Sequence, residues 1–358
     1  MGQSGMDQKT DYRDIIWYAA KVAALWLLLV AALYLASEVL LLVFAGILVA
    51  IFLSALAQWV QETTGIPYGG SLAVVAVTII TILFGFGYFA APSIGRQMDQ
   101  LADRLPRSIE RLEEQIKEYP WGKRLLTETQ DKQALGGTAE ILSRATGAVS
   151  GTLGFLVSFV IVLFIGIYAA VEPSTYRRGF LLLVPPQRRD RMGEISAAVV
   201  DTLQWWLIGK FISMAIIGVL TTIGLWIMGI PLALALGVIA ALFTFIPNIG
   251  PILSAIPAIL LGLMESPQQA LYIGALYVGI QTVESYMITP LIQKKTVSLP
   301  PALTLSAQVF LGVIFGGLGV ALATPMAAAA LVMTRMLYVN DTLKTNTDSF
   351  TSQSEQRM

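Results

Sequence analysis

Gln281 and Glu284 lie three residues apart inside an apolar stretch, Ala270–Pro290, with Ser285 beside them. At that spacing they share one face of a helix. A carboxylate is costly at membrane depth, and one found there is by default a functional residue. It can carry a proton or a sodium ion, or accept hydrogen bonds from a polar solute. The plainer alternative places Glu284 near the cytoplasmic end of its helix, paired with Lys294, Lys295 or a residue of the tail. Lys210 and Lys21 are the cations at the edges of apolar stretches. Long side chains near helix ends snorkel to the membrane surface, which explains both simply; a pairing of Lys210 with Glu284 is the other reading.

The second chemical feature is a break in the backbone. Residues 231–263 carry no charge until Glu265, and Phe245-Ile246-Pro247-Asn248-Ile249-Gly250-Pro251 interrupts them, with Pro257 following. Roughly 20 apolar residues cross a bilayer, so this stretch is too long for one span. Two prolines with a glycine between them cannot continue a regular helix. Backbone freed at that depth must be buried in protein or line a wet cavity, as in the broken helices that form transporter sites. The carbonyls of the break, the Asn248 side chain and a helix N-terminus from Ile252 are then open to a ligand. A tight turn joining two short helices, with no ligand, accounts for the same residues.

Composition removes most other chemistry. The chain has 358 residues and no Cys or His, so thiolate nucleophiles, disulfides and the commonest general base and metal ligand are absent. The only Gly-Lys pairs, Gly122-Lys123 and Gly209-Lys210, lack the remainder of a phosphate-binding loop. No catalytic constellation, metal site or cofactor motif is visible, and ATP-driven pumping by this chain alone is not expected. Lys+Arg and Asp+Glu balance at 23 each, which argues against nucleic acid as a partner. Charged residues make up 13% of the chain, against about 25% in soluble domains; this is the composition of a polytopic membrane protein whose first partner is membrane lipid.

The elements that must position these residues follow from the apolar stretches. Helices are expected at about 15–36, 39–57, 69–91, 150–171, 205–228, 232–246, 252–263 and 270–290, with a last long stretch at 302–338. Turns fall near Ser37-Glu38, Gly229 and Glu265-Ser266. The expected fold is an all-α polytopic membrane protein of about eight membrane helical segments, including two broken or re-entrant hairpins at 231–263 and 302–338. The second hairpin is signalled by Gly316-Gly317-Leu318-Gly319 and Pro325, where Gly312, Gly316, Gly317 and Gly319 read as close-packing sites. Trp205, Trp206 and Trp226 fit interfacial belts.

The chain divides into a cytoplasmic N-terminus (1–14), three membrane helices (15–92), an insert (93–148), a main membrane domain (149–338) and a polar tail (339–358). The first apolar stretch reads as a retained helix, not a cleaved signal. Within the insert Leu101, Leu105, Ile109, Leu112, Ile116 and Tyr119 form an amphipathic stripe. Pro106 suits a helix start there, and Gly136-Gly137 a break before a second helix. The segment 172–204, with Pro173, Pro185, Pro186 and a cluster of arginines, reads as an interfacial element or an ordinary basic loop. The short basic segments fall on one side only if both hairpins enter and leave by the same face. That puts both termini in the cytoplasm and the insert outside. The first hairpin then enters from the outer face, and its break points to the cytoplasmic half, near Glu284.

These residues resemble the autoinducer-2 exporter (AI-2E) family of bacterial membrane permeases. The resemblance rests on Phe245-Ile-Pro-Asn-Ile-Gly-Pro251 with Pro257-Ala258 and on Gln281-(x)2-Glu284-(x)5-Pro290-Leu-Ile. It rests also on Val297-Ser-Leu-Pro-Pro301 and on Gly316-Gly-Leu-Gly-(x)5-Pro325. It covers about residues 15–338. It implies export of a furanone-like quorum signal, or in some members sodium–proton antiport, and assembly as a homo-oligomer. It implies Pro247, Asn248, Gly250, Pro251, Gln281 and Glu284 as solute- or ion-binding positions, and Pro290 as a position to watch. One departure is Pro300, where many relatives carry His, so this chain cannot use that His for coupling.

The leading expectation is a secondary transporter exporting a small polar organic solute of the autoinducer-2 type, with H+ or Na+ as the coupling ion. The first alternative is a sodium(lithium)/proton antiporter, against which the scarcity of buried carboxylates counts. The second is a non-transporting membrane scaffold that binds partners through its insert.

Overall fold

A computed structural model describes residues 4–118, 152–290 and 299–338, which form helices and connecting turns with no strand among them. The helices are α1 (Ser4–Thr64), α2 (Tyr68–Glu118), α3 (Thr152–Val171) and α4 (Pro173–Leu182). Then follow α5 (Arg189–Ile227), α6 (Ala233–Thr244), α7 (Ile249–Glu265), α8 (Pro267–Val283) and α9 (Pro301–Thr334). Three helical stretches are long and apolar enough to cross a membrane: Ala36–Thr64, Pro186–Ile227 and Pro301–Tyr338. A fourth is possible if the pair Val157–Val171 and Pro173–Leu182, bent by 90°, counts as one. The chain is a multi-pass, all-α membrane protein.

Two expected boundaries do not form. α1 runs straight through Ser37-Glu38. From Met6 to Ala45 the sequence has neither Gly nor Pro, so nothing local ends the helix, and the segments expected at 15–36 and 39–57 are one rod. Its 61 residues extend about 90 Å at 1.5 Å per residue. α2 likewise continues through Pro92 and Pro106, so no helix starts at Pro106 and the insert begins as an extension of the third apolar stretch. The side chains of the expected stripe from Leu101 to Tyr119, and Gly136-Gly137, lie outside the described residues.

Small residues set the helix crossings, as expected where lipid removes the hydrophobic drive between helices. α3 lies on α1 through Gly46, whose added Cβ would fall 2.4 Å from Ile165, and Gly166, which meets Val49 in the same way. α5 lies along α6 through Gly218 against Ala241 and Gly237 against Thr222. α1, α5 and α9 share a core of Leu48, Ile51, Leu203, Leu207 and Leu322.

α6 and α7 fold back on each other. Leu236 and Ala258, at equal distances from Pro247 in the chain, share one buried cluster with Leu225 and Ile273. The start of α6 is held from outside: the Ala235 N–H donates to Gln97 Oε1 of α2 at 3.0 Å, satisfying one of the free donors of a helix N-terminus. α8 begins with Ser266, whose hydroxyl accepts from the Gln269 N–H, followed by Pro267 in the first turn, a standard capped start. Pro257 sits within α7 and does not end it.

α9 also reverses. Gly316 has φ 64° and ψ −146°, a conformation open in practice to glycine alone. Beyond it Val320 contacts Gly312, and a Cβ on Gly319 would lie 2.1 Å from the Leu311 carbonyl oxygen. In a continuous helix residues eight apart are about 12 Å from each other, so the two arms are folded together. Gly312 and Gly319 are the close-packing glycines and Gly316 makes the turn; Gly317 faces open space and is not a packing site.

Candidate functional site

The break of the first hairpin, the arms of the second, α5 and the end of α8 line a cavity of about 260 Å³. α5 contributes Trp206, Lys210 and Ser213, at positions that share one helix face. α8 and the turn after it contribute Gln281, Glu284, Ser285 and Thr289. The first hairpin contributes Thr244, Pro247, Asn248 and Pro251, and the second Thr304 and Thr324. Five of the six expected binding residues therefore line one cavity.

The sixth, Gly250, supports it from behind. An added Cβ there would lie 1.8 Å from the Phe243 carbonyl oxygen, so only glycine lets the turn close. The turn itself is tight. The Ile249 N–H donates to the Pro247 carbonyl at 2.8 Å, and Asn248 between them has φ 65° and ψ −50°. This is the positive-φ γ-turn, a rare and strained form. Strain of that kind collects at ligand sites and switches. The same Pro247 carbonyl accepts a second hydrogen bond, at 3.0 Å, from the Gln308 side chain of α9.

Glu284 opens a π-helical turn, Glu284–Ile288, a local widening that is frequent at functional sites. Its Oε2 accepts from Gln281 Nε2 at 3.1 Å. Its Oε1 lies 3.7 Å from Lys210 Nζ, and each of the two side chains is 10% exposed. At 3.7 Å the ions attract without closing a direct hydrogen bond, which needs about 2.7–3.2 Å. Lys210 therefore turns inward to Glu284; the snorkelling explanation does not hold for it. Lys294 and Lys295, the other suggested partners, lie outside the described residues. Trp206, expected in an interfacial belt, is buried and meets Phe245 edge-on, with ring centroids 5.7 Å apart. Trp226 is 74% exposed, as a belt residue should be.

The structural-break residues Pro257, Pro290, Gly316, Gly317, Gly319 and Pro325 do not line the cavity. Residues that the sequence did not single out do: Ser213, Thr244, Thr304 and Thr324. Thr324 is buried and its hydroxyl has no hydrogen-bond partner. Gln308 is wholly buried, and its Oε1 is also without a partner. A lone amide in an apolar stretch was the available signal for Gln308; the hydroxyls carried none. The arrangement offers one cation, one carboxylate, amides and hydroxyls in a partly closed space. That is a set for binding and orienting a small polar solute.

Residues 23–338 match the family described as "AI-2E family transporter". Among curated proteins the chain is similar to "Putative transport protein YueF" of Bacillus subtilis, 26% identical over 79% of this chain and 80% of that protein. It is similar to "Putative transport protein YrrI" of the same organism, 25% identical over 81% and 85%. "Putative transport protein YhhT" of Escherichia coli is 21% identical over 87% and 88%. With the family match spanning nearly all of the helical core, the chain belongs to the AI-2E family of membrane transporters.

Proposed function

We propose that this protein is a secondary transporter that exports a small polar organic solute, of the autoinducer-2 type, across the bacterial inner membrane. The observation that carries the reading is the Lys210–Glu284 pair, braced by Gln281, facing a polar cavity lined by the break of the first hairpin and the arms of the second. Binding at such breaks lets a solute exchange hydrogen bonds with strained backbone and fixed dipoles. The topology that goes with it has re-entrant hairpins at 231–263 and 302–338 and homo-oligomeric assembly; the continuous α1 crosses once where two crossings were expected, so the sidedness that put both termini in the cytoplasm does not carry over. The proposal is tested in proteoliposomes loaded with labelled solutes, autoinducer-2 among them. Solute efflux that Glu284→Gln abolishes and Asn248→Gly reduces supports it; efflux unchanged in both variants overturns the site.

Sodium(lithium)/proton antiport is the second reading. It is favoured by the single carboxylate among the described lining residues, Glu284, a group able to carry a proton or a small cation. Dissipation of a pH gradient on adding sodium or lithium, without any organic solute, would establish it in place of the first.

A further inference from the structure

Away from the cavity, α1 and α5 run side by side and leave an open groove of about 800 Å³. Its lining changes character along its length. At one end Phe52 lies against Phe211, ring centroids 4.5 Å apart, with Ile212 beside them. Ten residues further along α1, and ten back along α5, the groove is lined by Glu62 and Asp201. Ten residues of helix span about 15 Å. Between the two ends stand Trp59, which is 63% exposed, and Trp205. Among the described residues, no Lys or Arg lines the groove.

Both walls belong to stretches able to cross a membrane, Ala36–Thr64 and Pro186–Ile227. Tryptophans gather where lipid headgroups begin, so the aromatic end lies among acyl chains and the acidic end among headgroups. Two carboxylates without a lining cation repel an anionic headgroup and attract one that ends in a cation. A primary ammonium suits them best. It has three N–H donors for the carboxylates, whereas a quaternary ammonium has none; either cation can lie against the indole faces. The amides of Gln58 and Gln204, also in the lining, are the donors available to the phosphate ester. We propose that the α1–α5 groove is a specific binding site for a phospholipid with a primary-ammonium headgroup, phosphatidylethanolamine. The acyl chain would lie along Phe52, Phe211 and Ile212, and the ammonium between Glu62 and Asp201. The inference does not depend on what the cavity transports.

The test is lipid titration of the purified full chain in detergent. Phosphatidylethanolamine, phosphatidylglycerol and phosphatidylcholine are compared by native mass spectrometry and by the rise in Tm. The expected result is one tightly held phosphatidylethanolamine per chain, preferred over the other two. The double variant Glu62→Gln/Asp201→Asn should weaken that lipid roughly five- to thirtyfold and leave phosphatidylglycerol no weaker. Equal binding of the three lipids by the unaltered chain overturns the proposal without any variant. So does a double variant that folds and keeps its preference. A Trp59→Cys chain, whose only thiol is the introduced one, that forms a disulfide-linked pair in phosphatidylethanolamine nanodiscs also overturns it, because a second copy would then cover the groove.

Discussion

Gln308 donates its side-chain amide to the carbonyl of Pro247, at 3.0 Å and across 61 positions of sequence. One is on the first arm of the second hairpin and the other at the break of the first, so this bond ties that arm to the break. Pro247 already accepts from Ile249 within its strained turn, and the second bond uses its remaining lone pair. The geometry of the cavity wall therefore depends on a residue that does not line it.

Gln308→Leu keeps the bulk and removes the donor. The Pro247 carbonyl keeps its bond from Ile249, and the unpartnered Oε1 leaves with the amide, so the loss is at most that of one hydrogen bond, about 0.5–1.5 kcal/mol. The expected result is a lower Tm and a reduced solute flux per folded molecule. A variant with unaltered flux and unaltered Tm would show that the two hairpins do not rely on this bond.

Lys210 and Glu284 form a nearly buried pair. Removing one partner of such a pair leaves an uncompensated charge and destabilises by about 3–5 kcal/mol, whereas removing both can be neutral. Lys210→Met and Glu284→Gln should each lower Tm strongly, and the double variant should recover most of the loss without recovering flux. Thermal melts of the four proteins in one detergent decide it. Single variants whose losses simply add in the double would mean that the two charges are not coupled.

How far the sequence disclosed this site depends on the range of the interaction each residue uses. Pro247, Gly250 and Pro251 announce the break because backbone restriction is a property of the residue and its neighbours. Glu284 stands out because a carboxylate in an apolar run has few explanations. Lys210 was harder: whether it snorkels or turns inward depends on the rotation of α5 about its axis, which packing on α6, α8 and α9 decides. Among the described residues, the Gln308 side chain has its one hydrogen-bond partner 61 positions away, and Thr324 and Ser213 join the site only because distant arms converge. The turn expected at Ser37-Glu38 failed for a related reason. Two polar residues suggest a membrane surface, but they do not end a helix that contains no breaker.

Glycines of the second hairpin give an internal comparison. Gly319 meets the Leu311 carbonyl, while a Cβ on Gly317 meets nothing within 4 Å. Gly319→Ala should force the arms apart and lower both folded yield and flux. Gly317→Ala should be neutral or slightly stabilising, by at most about 1 kcal/mol, since alanine has less backbone freedom to lose. Equal effects of the two substitutions on folded yield by size-exclusion chromatography would contradict the folded-back arrangement of α9.

Asn248 allows the last ambiguity of the break, ligand or turn, to be resolved with one substitution. Its φ of 65° is strained for any side chain, least for asparagine and glycine. Asn248→Ala therefore confounds two effects, because it removes the amide and also strains the turn. Asn248→Gly removes the amide and relaxes the backbone, so the hairpin should fold with Tm unchanged or slightly raised. If the amide holds solute, flux should nonetheless fall by about fivefold or more, the worth of one hydrogen bond of roughly 1 kcal/mol. Flux equal to that of the unaltered chain, with Tm retained, would mean that Asn248 only turns the chain, and recognition would then pass to Lys210, Gln281 and Glu284.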